Sequence, residues 1–126
     1  MNLKVKIANI EFQNPVTVAS GTFWYQDAYY TREEIRQFGA VVPKTVTLNA
    51  REGNLKPRIC ETPSGMINAI GIENPGADEF IQNKLPELQE LDVPIIVSIM
   101  GNSDEEFAAL AKKFSGLKNV AALECN

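Results

Sequence analysis

Apolar residues in this chain fall into two rhythms. Short unbroken runs recur at Pro15-Val16-Thr17-Val18-Ala19, Ala40-Val41-Val42-Pro43-Lys44-Thr45-Val46, Val93-Pro94-Ile95-Ile96-Val97-Ser98-Ile99 and Val120-Ala121-Ala122-Leu123-Glu124. Continuous runs of this length predict parallel strands covered by helices. Between them the spacing widens to a helical period. Thr31 caps a helix with Glu33 and Glu34 in its first turn, Ile35 and Phe38 inward and Gly39 at its end. Ala77 to Leu91 reads as a second helix, with Phe80, Ile81, Leu85 and Leu88 inward and a kink or break at Pro86. Ser103 opens a third, with Asp104, Glu105 and Glu106 at the positive end of its dipole. Phe107, Leu110, Ala111 and Phe114 form its apolar stripe, and Gly116 stops it. Ahead of all these, Lys4 to Glu11 alternates apolar and polar before Asn14-Pro15, which predicts a short hairpin or edge strand.

The order of strands and helices predicts an α/β fold with four parallel strands. That rhythm alone permits a doubly wound sheet or a piece of a (β/α)8 barrel. One stretch breaks it. Thr47 to Pro75 lacks either period, and Glu61 to Gly76 is too irregular for a helix or a strand. It surrounds Met66, Ile67, Ile70 and Ile72 with glycines and prolines. Segments that long are usually functional. Apolar side chains, the amide of Asn68 and flexible backbone N–H groups suit a small planar ligand.

Composition narrows the field. The net charge of -4 and the scatter of 12 Lys and Arg argue against nucleic acid as a partner. No apolar run approaches the ~20 residues of a membrane helix, and Met1 to Ile7 lacks the apolar core of a signal peptide. The expected location is the cytoplasm. There is no histidine. That removes Ser-His-Asp and Cys-His nucleophilic schemes and leaves Lys, Cys, Asp, Glu or Tyr for any proton chemistry. Cys60 and Cys125 are expected to be reduced, small, buried apolar residues. No metal site is expected, since the acidic run at Asp104-Glu105-Glu106 reads as helix capping.

In parallel α/β folds, ligands bind beyond the carboxyl ends of the strands. Those ends are Ala19-Ser20-Gly21, Lys44-Thr45, Ser98 and Asn126. Four polar, amide or cationic ends after apolar runs imply a polar face over an apolar floor. Lys44 is the sharpest residue, because a fixed ammonium there can stabilise negative charge on a ligand. Asn68, flanked by Met66-Ile67 and Ala69-Ile70, is expected to be buried and to need hydrogen-bond partners. Asn54 to Arg58 reads as a structural turn. Trp24, Tyr25, Tyr29 and Tyr30 read as packing of the first loop and helix.

These residues together resemble class 1 dihydroorotate dehydrogenases. The resembling motifs are Ala19-Ser20-Gly21, Lys44-Thr45, Gly53-Asn54 with Pro57-Arg58, the run from Glu61 to Gly71, and Asn74-Pro75-Gly76. Leu123-Glu124-Cys125-Asn126 resembles the start of a further family motif. The likeness spans the chain in order and spacing, and is nearest to class 1B, the NAD-linked catalytic subunit.

The resemblance implies the N-terminal half of a (β/α)8 barrel that binds FMN and oxidises dihydroorotate to orotate in pyrimidine biosynthesis. It implies FMN contacts at Ala19, Ser20, Gly21, Lys44, Thr45, Ser98 and Asn126. Substrate contacts would come from Lys44, Asn68, Ala69, Ile70, Gly71, Ile72 and Asn126. Lys44 would also stabilise the reduced flavin. An iron–sulfur flavoprotein partner carrying FAD and a [2Fe-2S] cluster, and a homodimeric core, are implied as well. Ser98 stands where the family often has asparagine, and Cys125 where an aliphatic residue is usual. The family's catalytic cysteine falls in a Ser-Cys-Pro-Asn segment after Asn126. A whole barrel needs ~250 residues, so these 126 residues are expected to be inactive alone, to bind FMN weakly or not at all, and to leave an open sheet edge. Two other readings stay open: a related flavin barrel such as a dihydropyrimidine dehydrogenase domain, and a non-catalytic half-barrel that assembles with another chain.

Overall fold

The computed structural model describes residues 2–23 and 30–126. The chain opens with an antiparallel hairpin, β1 (Val5–Ile7) and β2 (Ile10–Phe12), as the alternation of Lys4 to Glu11 predicts. The next run, 15–19, touches its neighbour through one parallel bridge, Thr17 to Ala40.

The helix after Thr31 is shorter than its pattern. Only α1 (Arg32–Ile35) is helical. Its start has a reciprocal cap: the Glu34 N–H donates to the Thr31 hydroxyl at 3.2 Å and the Thr31 N–H to the Glu34 carboxylate at 2.8 Å. Its end is claimed by tertiary partners. The Gln13 amide donates to the carbonyls of Arg36 and Phe38, and the Asn14 amide to that of Gln37. Carbonyls held from outside need not continue the helical ladder.

The run from Ala40 to Val46 lies beside β5 (Ile95–Ile99) without a continuous ladder. It pairs at both ends, Val41 with Ile95 and Val46 with Ile99. Pro43 stands between these bridges and has no N–H to donate, so the ladder is broken in the middle. β5 pairs in parallel with β6 (Val120–Cys125), with a register shift between Ile95 and Ile96. The neighbours therefore run 17, 40–46, β5, β6, in chain order.

The expectation that Glu61 to Gly76 contains no strand is corrected. β3 (Ile59–Thr62) and β4 (Gly65–Asn68) form an antiparallel hairpin around Pro63-Ser64. Backbone pairing replaces the apolar packing that the isoleucines suggested. Met66 is 63% and Ile67 65% exposed.

Ala77 to Leu91 is one helical stretch in three parts: α2 (Ala77–Glu79), a wide π turn (Phe80–Lys84) and α3 (Leu85–Gln89). The Leu85 N–H reaches back to the Phe80 carbonyl. Pro86 follows at once. Its ring crowds the carbonyl four residues earlier, and opening the turn relieves that contact. α4 (Asp104–Phe114) matches its pattern, with Ser103 accepting from the Glu106 N–H. The core joins Phe80, Leu85, Leu88, Leu110 and Phe114 to Val41, Val46, Ile95, Val97 and Ile99. The rings of Phe80 and Phe114 meet edge-on at 6.0 Å.

Of the aromatic group, Tyr30 meets Phe38 edge-on at 6.2 Å. Trp24, Tyr25 and Tyr29 lie outside the described residues. Both cysteines are free and exposed, which corrects the expectation of burial. Cys60 is on the open hairpin, and Cys125 is the last residue of β6. Among the described residues, no helix is long and apolar enough to cross a membrane.

Candidate functional site

The carboxyl ends of the parallel runs meet on one side. Thr45 and Ser98, both buried, join their hydroxyls at 3.0 Å. The Asn126 amide donates to the Thr45 hydroxyl at 3.3 Å. Its backbone N–H donates to the Ile99 carbonyl at 2.9 Å, which fixes it at the end of the strand pair. Three of the residues singled out in the sequence thus form one connected polar row across three strands.

Lys44 stands beside that row, half-buried. It forms no hydrogen bond or ion pair with the described residues. Its ammonium approaches the first strand end: a Cβ on Gly21 would lie 3.7 Å from Lys44 Nζ. Gly21 has φ +81° and closes a turn in which the Thr22 N–H and hydroxyl both donate to the Ala19 carbonyl. Ser20 in that turn is half-buried, and Ala19 is exposed.

Lys44 also lines a cavity of about 640 Å³, with Arg51, Ile70, Glu73, Asn74 and Pro75 among its other walls. The segment from 70 to 75, which lines the cavity through Ile70, Glu73, Asn74 and Pro75, has an unusual backbone between them. Gly71 (φ +81°) and Ile72 (φ +55°) are both left-handed. A β-branched residue at such a φ is a genuine outlier, and such strain clusters at functional sites. Among the described residues, the N–H groups of Ile70, Gly71, Ile72 and Glu73 have no acceptor, although Ile70 to Ile72 are half-buried. Donors without a protein acceptor at such positions are open to water or to a ligand.

Asn68 departs from its expectation. It is exposed at the end of β4, paired with Ile59, and does not line the cavity. The alternation of the hairpin, which the sequence reading lacked, decides where it stands. The buried amide of this region is Asn74. Its carbonyl oxygen accepts from the N–H groups of Thr47 and Gly76, and its amide donates to the Thr47 hydroxyl and the Ile72 carbonyl. Asn54 and Arg58, in the expected structural turn, also reach the strained segment, at Ala69 and Glu73. Their signal in the sequence is the motif Gly53-Asn54 with Pro57-Arg58, which reads there only as a turn.

A parallel βα sheet with its polar residues gathered at the strand ends defines the class of α/β proteins that bind small ligands at that face. The chain belongs to the dihydroorotate dehydrogenase family, whose model matches residues 2–126. It is 45% identical over 125 residues to the dihydroorotate dehydrogenase B (NAD(+)) catalytic subunit of Geotalea uraniireducens. Against the same subunit of Thermoanaerobacter pseudethanolicus it is 44% identical over 126 residues, and against that of Desulforudis audaxviator 47% over 122. These matches cover 97 to 100% of this chain but about 41% of the relatives' own length. In fold, it resembles the dihydroorotate dehydrogenase of Eimeria tenella crystallised with ferulenol. The TM-score is 0.63 at 23% identity, over 89% of this chain and 33% of that one.

Proposed function

We infer that this chain is part of an FMN-dependent (β/α)8 enzyme that oxidises (S)-dihydroorotate to orotate in pyrimidine biosynthesis. One observation carries the reading. A half-buried lysine with no acceptor among the described residues lines a cavity together with Ile70 and Glu73, whose backbone N–H groups have no acceptor among those residues either. A cation and several donors around an apolar space are what a flat, anionic, acceptor-rich ligand requires.

The donor set fits a flavin. An isoalloxazine edge presents carbonyl oxygens and ring nitrogens, and Lys44, Thr45, Ser20 and Asn126 supply an ammonium, two hydroxyls and an amide. Gly21, without a Cβ, leaves backbone accessible beside Lys44. When bound, FMN supplies the acceptor for the hydride that leaves C6 of dihydroorotate. The residues of this chain then bind and orient. Lys44 holds negative charge at the junction of flavin and substrate. Thr45, tied by Ser98 and Asn126, keeps its hydroxyl in a fixed direction. Ser98 acts through Thr45. The segment Asn68 to Ile72 receives the pyrimidine and its carboxylate through the backbone N–H groups of Ile70, Gly71 and Ile72, while Ala69, held by Arg58 and Asn54, and Asn68 at the exposed end of β4 lead the chain into it.

The relatives' names place them as the catalytic subunit of an NAD(+)-linked enzyme. By that likeness, this chain's enzyme pairs with a second subunit carrying FAD and a [2Fe-2S] cluster, around a homodimeric cytoplasmic core.

The test is anaerobic reduction of the complete enzyme containing this chain. Dihydroorotate is expected to bleach the flavin absorbance, and orotate to compete. Dihydrouracil is expected to do neither. Reduction by dihydrouracil and not by dihydroorotate would overturn the substrate assignment.

A further inference from the structure

The strained residues Gly71 and Ile72, between the cavity-lining Ile70 and Glu73, do not stand alone. The Asn54 N–H donates to the Ile70 carbonyl at 2.9 Å, and the Asn54 side-chain amide to the Ala69 carbonyl at 2.9 Å. Gly71 lies against the same residue: a Cβ there would sit 2.8 Å from the Asn54 nitrogen. Only a glycine permits that approach. Arg58 ties the other margin. Its guanidinium donates to the Glu52 carbonyl at 2.8 Å, to the Asn54 carbonyl, and to the Glu73 carboxylate just past Ile72. Its backbone carbonyl accepts from the Ala69 N–H at 2.8 Å. The Arg58 side chain is only 18% exposed, although its partner Glu73 is 54% exposed.

We propose that Asn54 and Arg58 are positioning residues, which hold residues 69–73 in a form, left-handed at Gly71 and Ile72, that leaves the N–H groups of residues 70–73 for the ligand. The inference rests on the dihydroorotate reading of the cavity. Its logic is energetic. Ile72 at φ +55° has a conformation that a free β-branched residue avoids. The segment keeps it only because the surrounding bonds over-determine it. Asn74 holds the carbonyl of Ile72 from one side. Asn54 takes the carbonyls of Ala69 and Ile70 from the other. With these carbonyls engaged by the protein, the N–H groups of residues 70–73 remain for a carboxylate or an imide edge. Neither Asn54 nor Arg58 has to touch the ligand. Both act through the shape of the segment, so their loss weakens substrate and product while leaving the flavin row of Thr45, Ser98 and Asn126 intact.

The experiment measures orotate binding and steady-state kinetics of the complete enzyme with Asn54→Ala and with Arg58→Lys. Asn54→Ala is expected to raise the orotate Kd and the KM for dihydroorotate by about tenfold, the order expected of one lost hydrogen bond. The flavin content, its absorption spectrum and kcat at saturation should change little. Arg58→Lys keeps the charge beside Glu73 but loses the fork, and a smaller rise is expected. A lowered melting temperature with unchanged Kd and KM in both variants would overturn the proposal and leave a purely structural turn. If Asn54→Ala does not fold, an unchanged Kd in folded Arg58→Lys overturns it equally. Wild-type enzyme that binds FMN but not orotate would instead overturn the substrate reading, and the positioning role with it.

Discussion

The Thr45 and Ser98 hydroxyls meet at 3.0 Å inside the protein, across two strands joined by few backbone bonds. Pro43 breaks the ladder between these strands, and this side-chain bond secures them at their carboxyl ends. Ser98→Ala removes it. Thr45 keeps Asn126 as a partner, so the loss is about 1 kcal/mol. Chemical denaturation should show that drop. Flavin retention should fall with it, because the Thr45 hydroxyl loses one of its two fixed directions.

Lys44 separates stability from function. With no bond to the described residues, its replacement by Gln should leave stability within about 0.5 kcal/mol of wild type. Turnover in the complete enzyme should fall by about a hundredfold or more, as when a fixed charge-stabilising donor is removed. A melting curve paired with stopped-flow flavin reduction checks both. A large stability loss with normal reduction would reverse the assignment.

Phe114 on α4 packs edge-on against Phe80 of the π turn, and both are almost fully buried. Phe114→Ala should cost about 3–5 kcal/mol. Ile67→Ser, on the exposed hairpin, should change stability by less than about 0.5 kcal/mol. Comparing their urea midpoints tests whether the hairpin is independent of the core.

Acid should act through the cap of α1. The Thr31 backbone N–H, and then its hydroxyl, hold the Glu34 carboxyl below its ordinary value of 4.5. A carboxyl with a lower value in the folded state adds stability above about pH 4.5, and that contribution disappears as pH falls through the folded value. Between these limits the unfolded chain binds the extra proton. Glu34→Gln should therefore flatten the slope of stability against pH in that window. An unchanged slope would show that the cap contributes nothing there.

Much of the architecture was legible in the chain itself. Unbroken apolar runs set β5 and β6, the Ser103 cap and the spacing of Leu110 and Phe114 set α4, and Pro86 announced a break. Their causes are local, since periodicity and cap chemistry act within a few residues. The polar strand ends were legible for the same reason: Lys44, Thr45, Ser98 and Asn126 each follow an apolar run, so parallel pairing brings them to one side. What lay beyond local pattern was decided by contacts distant in sequence. Carbonyls claimed by Gln13 and Asn14 cut α1 to one turn. Backbone pairing of Ile59–Thr62 with Gly65–Asn68 put Asn68 and Met66 outside, where their apolar neighbours predicted burial. The left-handed Ile72 depends on Asn54, Arg58 and Asn74, none of which a propensity at position 72 could reveal. Strain of that kind exists only where the tertiary structure supplies bonds enough to hold it.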